Sequence, residues 1–181
     1  MNKPEVVRFE AKLFKQNNRL VLPIPAAEAA KLRDMQTVEG MINTQRFRAA
    51  LIPQEDGSWV LPVNAAMQRG SGASAGDTVS VAVLGPEPDP MPPQDLQAEF
   101  DMSPEAVANW EQLTMLGKRD WIRWIEDTKS PETRARRVAR TVEQLSEGKR
   151  RACCVNVYGF MECRIQEDSK KHYHSIDSAD K

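Results

Sequence analysis

Between residues 7 and 13 the chain alternates. Val7, Phe9, Ala11 and Leu13 are apolar, and Arg8, Glu10 and Lys12 are charged. That period of two predicts a half-buried strand. A second apolar run follows, Leu20-Val21-Leu22-Pro23-Ile24, and nearly the same corner returns as Trp59-Val60-Leu61-Pro62-Val63. Both runs lead into an alanine pair, Ala26-Ala27 and Ala65-Ala66. Both then reach a further apolar alternation, Val38–Ile42 in the first copy and Val79–Val83, introduced by Ala75-Gly76-Asp77, in the second. Phe9–Leu13 faces Phe47–Leu51 at an offset of 38, and Leu22-Pro23 faces Leu61-Pro62 at an offset of 39. Each copy therefore predicts strand, strand, short helix, strand. A proline has no N–H, so pairing is expected to stop at Pro23 and Pro62. Pro25 suits the start of a helix over 26–32, and Gln54-Glu55-Asp56-Gly57 reads as a hairpin turn.

A half of about 38 residues is too small to close a core alone. Two such halves cover each other's apolar faces about a pseudo-two-fold axis, and the repeated corner then lets one chain do the work of a symmetric dimer. The expectation for residues 1–85 is a single monomeric β-barrel of two ββαβ halves. Strand, Leu-Pro, short helix, Gly-Asp, strand resembles the swapped-hairpin barrel of the AbrB and MazE transition-state-regulator type, here with both units in one chain.

Five prolines fall within 86–95, which predicts a stiff, extended linker. Three helices are expected over 96–151. Ser103-Pro104-Glu105 starts the first, whose stripe is Ala106, Val107, Trp110 and Leu113, with Gly117 able to end it. The second spans roughly 118–128, with Trp121, Ile122, Trp124 and Ile125 on its apolar face. Ser130-Pro131-Glu132 starts the third, whose inner stripe is Ala135, Val138, Val142 and Leu145 and whose stop is Gly148. Residues 152–181 show no apolar periodicity in Gln166–Lys171 and are expected to be a largely disordered tail. The whole reads as α+β: a pseudo-two-fold barrel followed by a three-helix bundle.

The stretch WIRWIEDTKSPETRARRVARTVEQLSEGKRR resembles the helical domain of the YdeI / OmpD-associated family. The match rests on Trp124-Ile125, Lys129, Pro131-Glu132-Thr133-Arg134, Arg136-Arg137, Leu145 and Gly148-Lys149. A barrel of this kind often precedes that domain in the family. The tail from Ala152 departs from the pattern. The family's name ties it to envelope protein and to peptide or bacteriocin resistance, and implies no chemistry.

Charge refines this picture. The net charge of −1 predicts no partner, but residues 86–117 carry seven negative side chains and no positive one, and residues 118–151 carry eleven positive and six negative. Arg134 and Arg137 share one face of the third helix at i, i+3, and Arg136 and Arg140 another at i, i+4. With Thr133, whose helix start offers backbone N–H groups, they are the candidate anion- or partner-binding residues. Glu132–Arg136 pairing and neutralisation by the acidic block are the competing structural roles. The tryptophans at 110, 121 and 124 read as core. Cys153, Cys154, Cys163, His172 and His174 lack zinc-site spacing, so no metal is expected. No catalytic triad, nucleophile elbow, phosphate loop or dinucleotide fingerprint is present, and Gly70–Gly76 reads as a flexible loop. No catalytic residue and no cofactor are therefore assigned. Without a signal peptide, an 18-residue apolar span or a disulfide framework, a cytoplasmic location with no membrane insertion is expected. The functional expectation is a non-enzymatic binding or stress- and envelope-protection protein. It would act on an unknown protein or a small anionic ligand, as a monomer or weak dimer. A nucleic-acid-binding regulator of AbrB-like type is the alternative, and a small enzyme the third.

Overall fold

The computed structural model describes residues 3–152 and 155–177, with side chains as far as Lys171. The opening alternation becomes β1 (Val6–Lys12), and Val7, Phe9, Ala11 and Leu13 all enter the core. It is followed by β2 (Phe14–Gln16), β3 (Arg19–Ile24), α1 (Ala26–Leu32) and β4 (Val38–Ile42). The second copy supplies β5 (Gln45–Ala49), β6 (Ile52–Pro53), β7 (Trp59–Val63), α2 (Ala65–Ser71) and β8 (Thr78–Leu84).

These strands form two four-stranded antiparallel sheets, β1-β8-β4-β5 and β2-β3-β7-β6. The expected closed barrel is thereby corrected: no ladder joins the two sheets among the described residues. At Leu13 the chain leaves the first sheet for the second. Its N–H donates to the Asp77 carbonyl and its carbonyl accepts from Gly76 N–H, so the corner is satisfied by the Gly-Asp turn rather than by a neighbouring strand.

Exchange each element for its counterpart in the other copy, and both strand orders read the same. The register agrees. Leu22 lies opposite Leu61, with Val21 opposite Pro62 and Pro23 opposite Val60. Met41 lies opposite Ala82, with Gly40 opposite Val83 and Ile42 opposite Val81. At that second crossing a Cβ on Gly40 would lie 2.2 Å from the Ala82 carbonyl oxygen, so only glycine lets the two backbones come this close.

Pro23 and Pro62 do not end their strands, which corrects the expectation. The β2·β3 ladder stops at Phe14–Val21 and the β6·β7 ladder at Val60, so each proline's missing N–H falls where its hairpin partner has already ended. Leu22 and Leu61 are buried to about 1 % exposure or less, and with Leu32, Val38, Ile42 and Phe47 they fill the space between the sheets. Gly70–Gly76 is only partly a loop: α2 runs through Gly70 to Ser71 and ends at Gly72, whose φ of 69° is the left-handed cap that glycine adopts freely.

The chain divides into two units. Residues through Glu87, together with those from Tyr158 on, form the first, and Pro88–Val157 form the second. Among its described residues the second unit has four helices, not three: α3 (Gln94–Phe100), α4 (Pro104–Glu111), α5 (Met115–Glu126) and α6 (Pro131–Ser146). α3 starts inside the stretch expected to be extended linker, because Pro93 precedes the helix and costs it no hydrogen bond. Leu96 and Phe100, four apart, are its buried face. Gly117 does not end α4. It lies in the first turn of α5, where its N–H donates to the Thr114 hydroxyl cap at 3.1 Å. Trp110, Trp121, Ile125, Val138 and Leu145 make the core of this unit, as their spacing predicts. α6 runs to Ser146 and is stopped by the left-handed Gly148 (φ 78°) just beyond its cap, with the Lys149 N–H returning to the Gln144 carbonyl at 3.0 Å.

The tail expectation is also corrected, because α7 (Gly159–Asp177) forms and belongs to the first unit. Met161 and Ile165, four apart, are buried against Val6, Ala82 and Leu84. The polar run that suggested disorder is the part of this helix beyond its apolar anchors. Cys153, Cys154 and the side chains of His172 and His174 lie outside the described residues, and with them most of the metal question for the tail. No helix among the described residues is long and apolar enough to cross a membrane.

Candidate functional site

The arginines of α6 come first, because sequence singled them out. Arg134 meets Asp95 in a two-point clamp, Nε to Oδ2 at 2.6 Å and Nη2 to Oδ1 at 2.9 Å. The hydrogen bond from Arg134 holds the Asp95 carboxyl below its ordinary range, and the same bond raises the guanidinium. Glu126 is pushed up, chiefly by burial, with Arg134 pulling the other way. Arg137 Nη1 donates to the carbonyls of Trp124 (2.5 Å) and Asp127 (2.7 Å), with its guanidinium 5.6 Å from the Trp124 ring centre. It therefore closes the C-terminal end of α5. Arg140 pairs with Glu143 at 2.5 Å. The Thr133 N–H goes to the Ser130 hydroxyl at 3.3 Å and the Arg134 N–H to the Ser130 carbonyl at 2.9 Å. Arg136 is exposed, and the expected Glu132–Arg136 pair is not among the ion pairs of the described residues. The structure thus does not bring these five residues to one open anion site. Asp95 and Glu126, missed at the sequence level, take up Arg134. The acidic block next to the basic one was the signal for them.

The first unit holds a more open arrangement, on the side of the β2-β3-β7-β6 sheet away from the core. Alternation sends Leu20, Leu22 and Ile24 inward and Val21 and Pro23 outward. On β7 it sends Leu61 and Val63 inward and Val60 outward. The two hairpins flank this outer face. One turns at Asn17-Asn18, with φ of 49° and 63°, the left-handed values that a two-residue turn demands and asparagine tolerates. The other turns at Gly57, with Asp56 Oδ1 accepting from the Ser58 N–H and hydroxyl at 2.9 and 2.6 Å. Those bonds hold the Asp56 carboxyl below its ordinary range.

Together they define a groove of about 920 Å³. Val21 and Val60 lie along it, and Phe14 and Ile52 are exposed at 40 % and 38 %. Gln16 Nε2 donates to Gln54 Oε1 at 2.7 Å. Each of these pairs is related by the repeat, 38 or 39 positions apart, so the lining is two-fold symmetric. Charge breaks the symmetry: Arg19 stands on one hairpin and Glu55 on the other, and neither side chain has a hydrogen bond or ion pair among the described residues. Sequence reasoning missed this groove because it followed only the inward positions of the repeat. The outward mates Phe14/Ile52 and Gln16/Gln54 were the available signal.

Residues 89–148, which contain α3 to α6, match the family model described as Bacteriocin-protection, YdeI or OmpD-Associated. The second unit is a YdeI / OmpD-associated domain. Its four helices, including the α3 that sequence patterning missed, lie within the match, as does the Asp95–Arg134 clamp. Residues 9–83 match a second model, Domain of unknown function (DUF1905), which takes in the groove and both hairpins. No curated protein matches the chain.

Proposed function

We propose that this YdeI / OmpD-associated chain is a non-enzymatic binding protein whose ligand sits in the groove of the first unit. The ligand is an apolar molecule carrying one anionic group. The observation that carries the reading is the groove itself. Its exposed apolar groups are Phe14 and Ile52, set over the nearly buried Val21 and Val60, its rim is amide and charge, and its size lies in the range of small-molecule sites. Arg19 is the anchor for the anionic group, since its guanidinium has no protein partner there, and Glu55 disfavours the reverse orientation. The first unit is read here as the one-chain counterpart of an AbrB-like swapped-hairpin dimer, a reading its two-fold strand order supports. The protective role is carried over from the family's name.

Native mass spectrometry of gently purified protein tests the proposal. The expected result is a stoichiometric adduct that is lost from the Arg19→Ala and Phe14→Asp variants. An adduct-free protein that also fails to take up dodecanoate would contradict it.

A further inference from the structure

The other sheet also has an outer face, and α7 covers it. At its centre are Met41 and Ala82, the pair opposed across the two-fold register, with Val6 and Leu84 beside them. Two arginines flank that centre, Arg8 on β1 and Arg46 on β5, and these are mates in the repeat, 38 positions apart. Both grip α7. Arg8 donates to Asp168 Oδ2 at 3.0 Å, to the Ile165 carbonyl at 3.0 Å and to Ser169 Oγ at 2.8 Å. Arg46 Nη1 meets Glu162 Oε1 at 3.2 Å. Lys3 adds a pair with Glu167 at 2.7 Å. Arg46 and Arg48 both stand over the Tyr158 ring, at 5.0 and 5.4 Å from its centre, at the entrance to the helix. Arg48 is fixed in turn by the buried Glu39 at 2.8 Å.

Two features separate this face from its cover. The face is built without α7: its strands are held by their ladders and by the core on their opposite side, and the Glu39–Arg48 pair lies within the sheet. The cover is anchored by few apolar groups. Met161 and Ile165 are buried, Phe160 is 36 % exposed, the Lys3–Glu167 pair is half-solvated and so weak, and the firmer polar contacts are few, chiefly Arg8–Asp168 and Arg164 Nε to the Pro4 carbonyl at 2.9 Å.

We propose that the outer face of β1-β8-β4-β5 is a docking surface for an acidic amphipathic helix of a partner protein, and that α7 is the chain's own displaceable occupant of it. The required partner has two apolar residues four apart, flanked by carboxylates that reach Arg8 and Arg46, as Glu162, Met161, Ile165 and Asp168 do now. While α7 is seated it competes in cis, at the high effective concentration a tether gives.

The experiment uses the full chain and a fluorescein-labelled peptide of residues 157–177 as probe. The variant Met161→Asp with Ile165→Asp removes both apolar anchors of α7 and changes no strand residue. Fluorescence anisotropy is expected to show the peptide binding this variant at least ~10-fold more tightly than the unaltered chain, since the cis helix holds the face in the latter. Adding Arg8→Glu and Arg46→Glu should abolish binding, and a peptide carrying Glu162→Lys and Asp168→Lys should restore it. Hydrogen exchange on the unaltered chain should show α7 amides opening before those of β8. Failure of the peptide to bind the unseated variant with its strand circular dichroism preserved would overturn the proposal. So would binding indifferent to charge reversal, or loss of the cooperative unfolding transition in the unseated variant, which would make α7 part of the core.

Discussion

Arg134 illustrates how one side chain is read differently from sequence and from structure. In sequence it is a free cation at the start of a helix. In the fold it is clamped to Asp95, 39 positions earlier. Both side chains keep about a third or more of their exposure, so Arg134→Ala is expected to cost only about 1 kcal/mol in urea unfolding. The pH dependence has a definite sign. The Asp95 carboxyl is depressed in the folded state, so its stabilisation is present above the unfolded value near ~4 and is lost as pH falls through the folded value. The stability gap between the unaltered chain and Asp95→Asn should therefore close in acid. Glu126 has the opposite sign, because burial raises it and its ionised form is penalised as pH rises. Glu126→Gln should gain on the unaltered chain from acid to neutral pH. At Gly40 the constraint is steric. Gly40→Ala forces a methyl against the Ala82 carbonyl and should cost roughly 1–3 kcal/mol, read as a shift in urea midpoint at unchanged slope.

Elements were legible where their signal was local. The alternation of β1, the serine-proline start of α6 and its glycine stop all appear in the structure where the residues place them. Ser130→Ala should cost about 1 kcal/mol through the lost cap. What escaped was masked by a stronger neighbouring signal. α3 hides behind five prolines because a proline just before a helix looks like one in a linker. The start of α5 hides behind Gly117, a stop signal used here inside a first turn. α7 shows only two apolar anchors, and their value depends on a sheet face more than 70 residues away in sequence. The β3·β7 ladder tests the two-copy arrangement most sharply. Leu22→Ala and Leu61→Ala should each cost ~2–5 kcal/mol, and because the residues face each other across one ladder their sum should overestimate the double variant.

At the scale of the molecule, two findings shape function. One is internal neutralisation: residues 86–117 carry seven negative side chains and no positive one, residues 118–151 carry an excess of five positive ones (eleven minus six), and Asp95–Arg134 pairs the two stretches directly. Duplex DNA binding should accordingly be weak, with a dissociation constant above roughly 10 μM at physiological salt by fluorescence anisotropy. The other is that two charges without a protein partner among the described residues, Arg19 and Glu55, stand beside apolar side chains in the groove, whereas Arg134, Arg137 and Arg140 on α6 are engaged. The most direct measurement is a titration with anilinonaphthalene sulfonate, an apolar body with one anionic group. It compares the unaltered chain, Arg19→Ala with Phe14→Asp, and Arg134→Ala with Arg137→Ala. Saturable one-to-one binding that falls at least ~10-fold in the groove variant and is unchanged in the α6 variant is the predicted result. Binding lost with the α6 arginines and kept without Arg19 and Phe14 would contradict it.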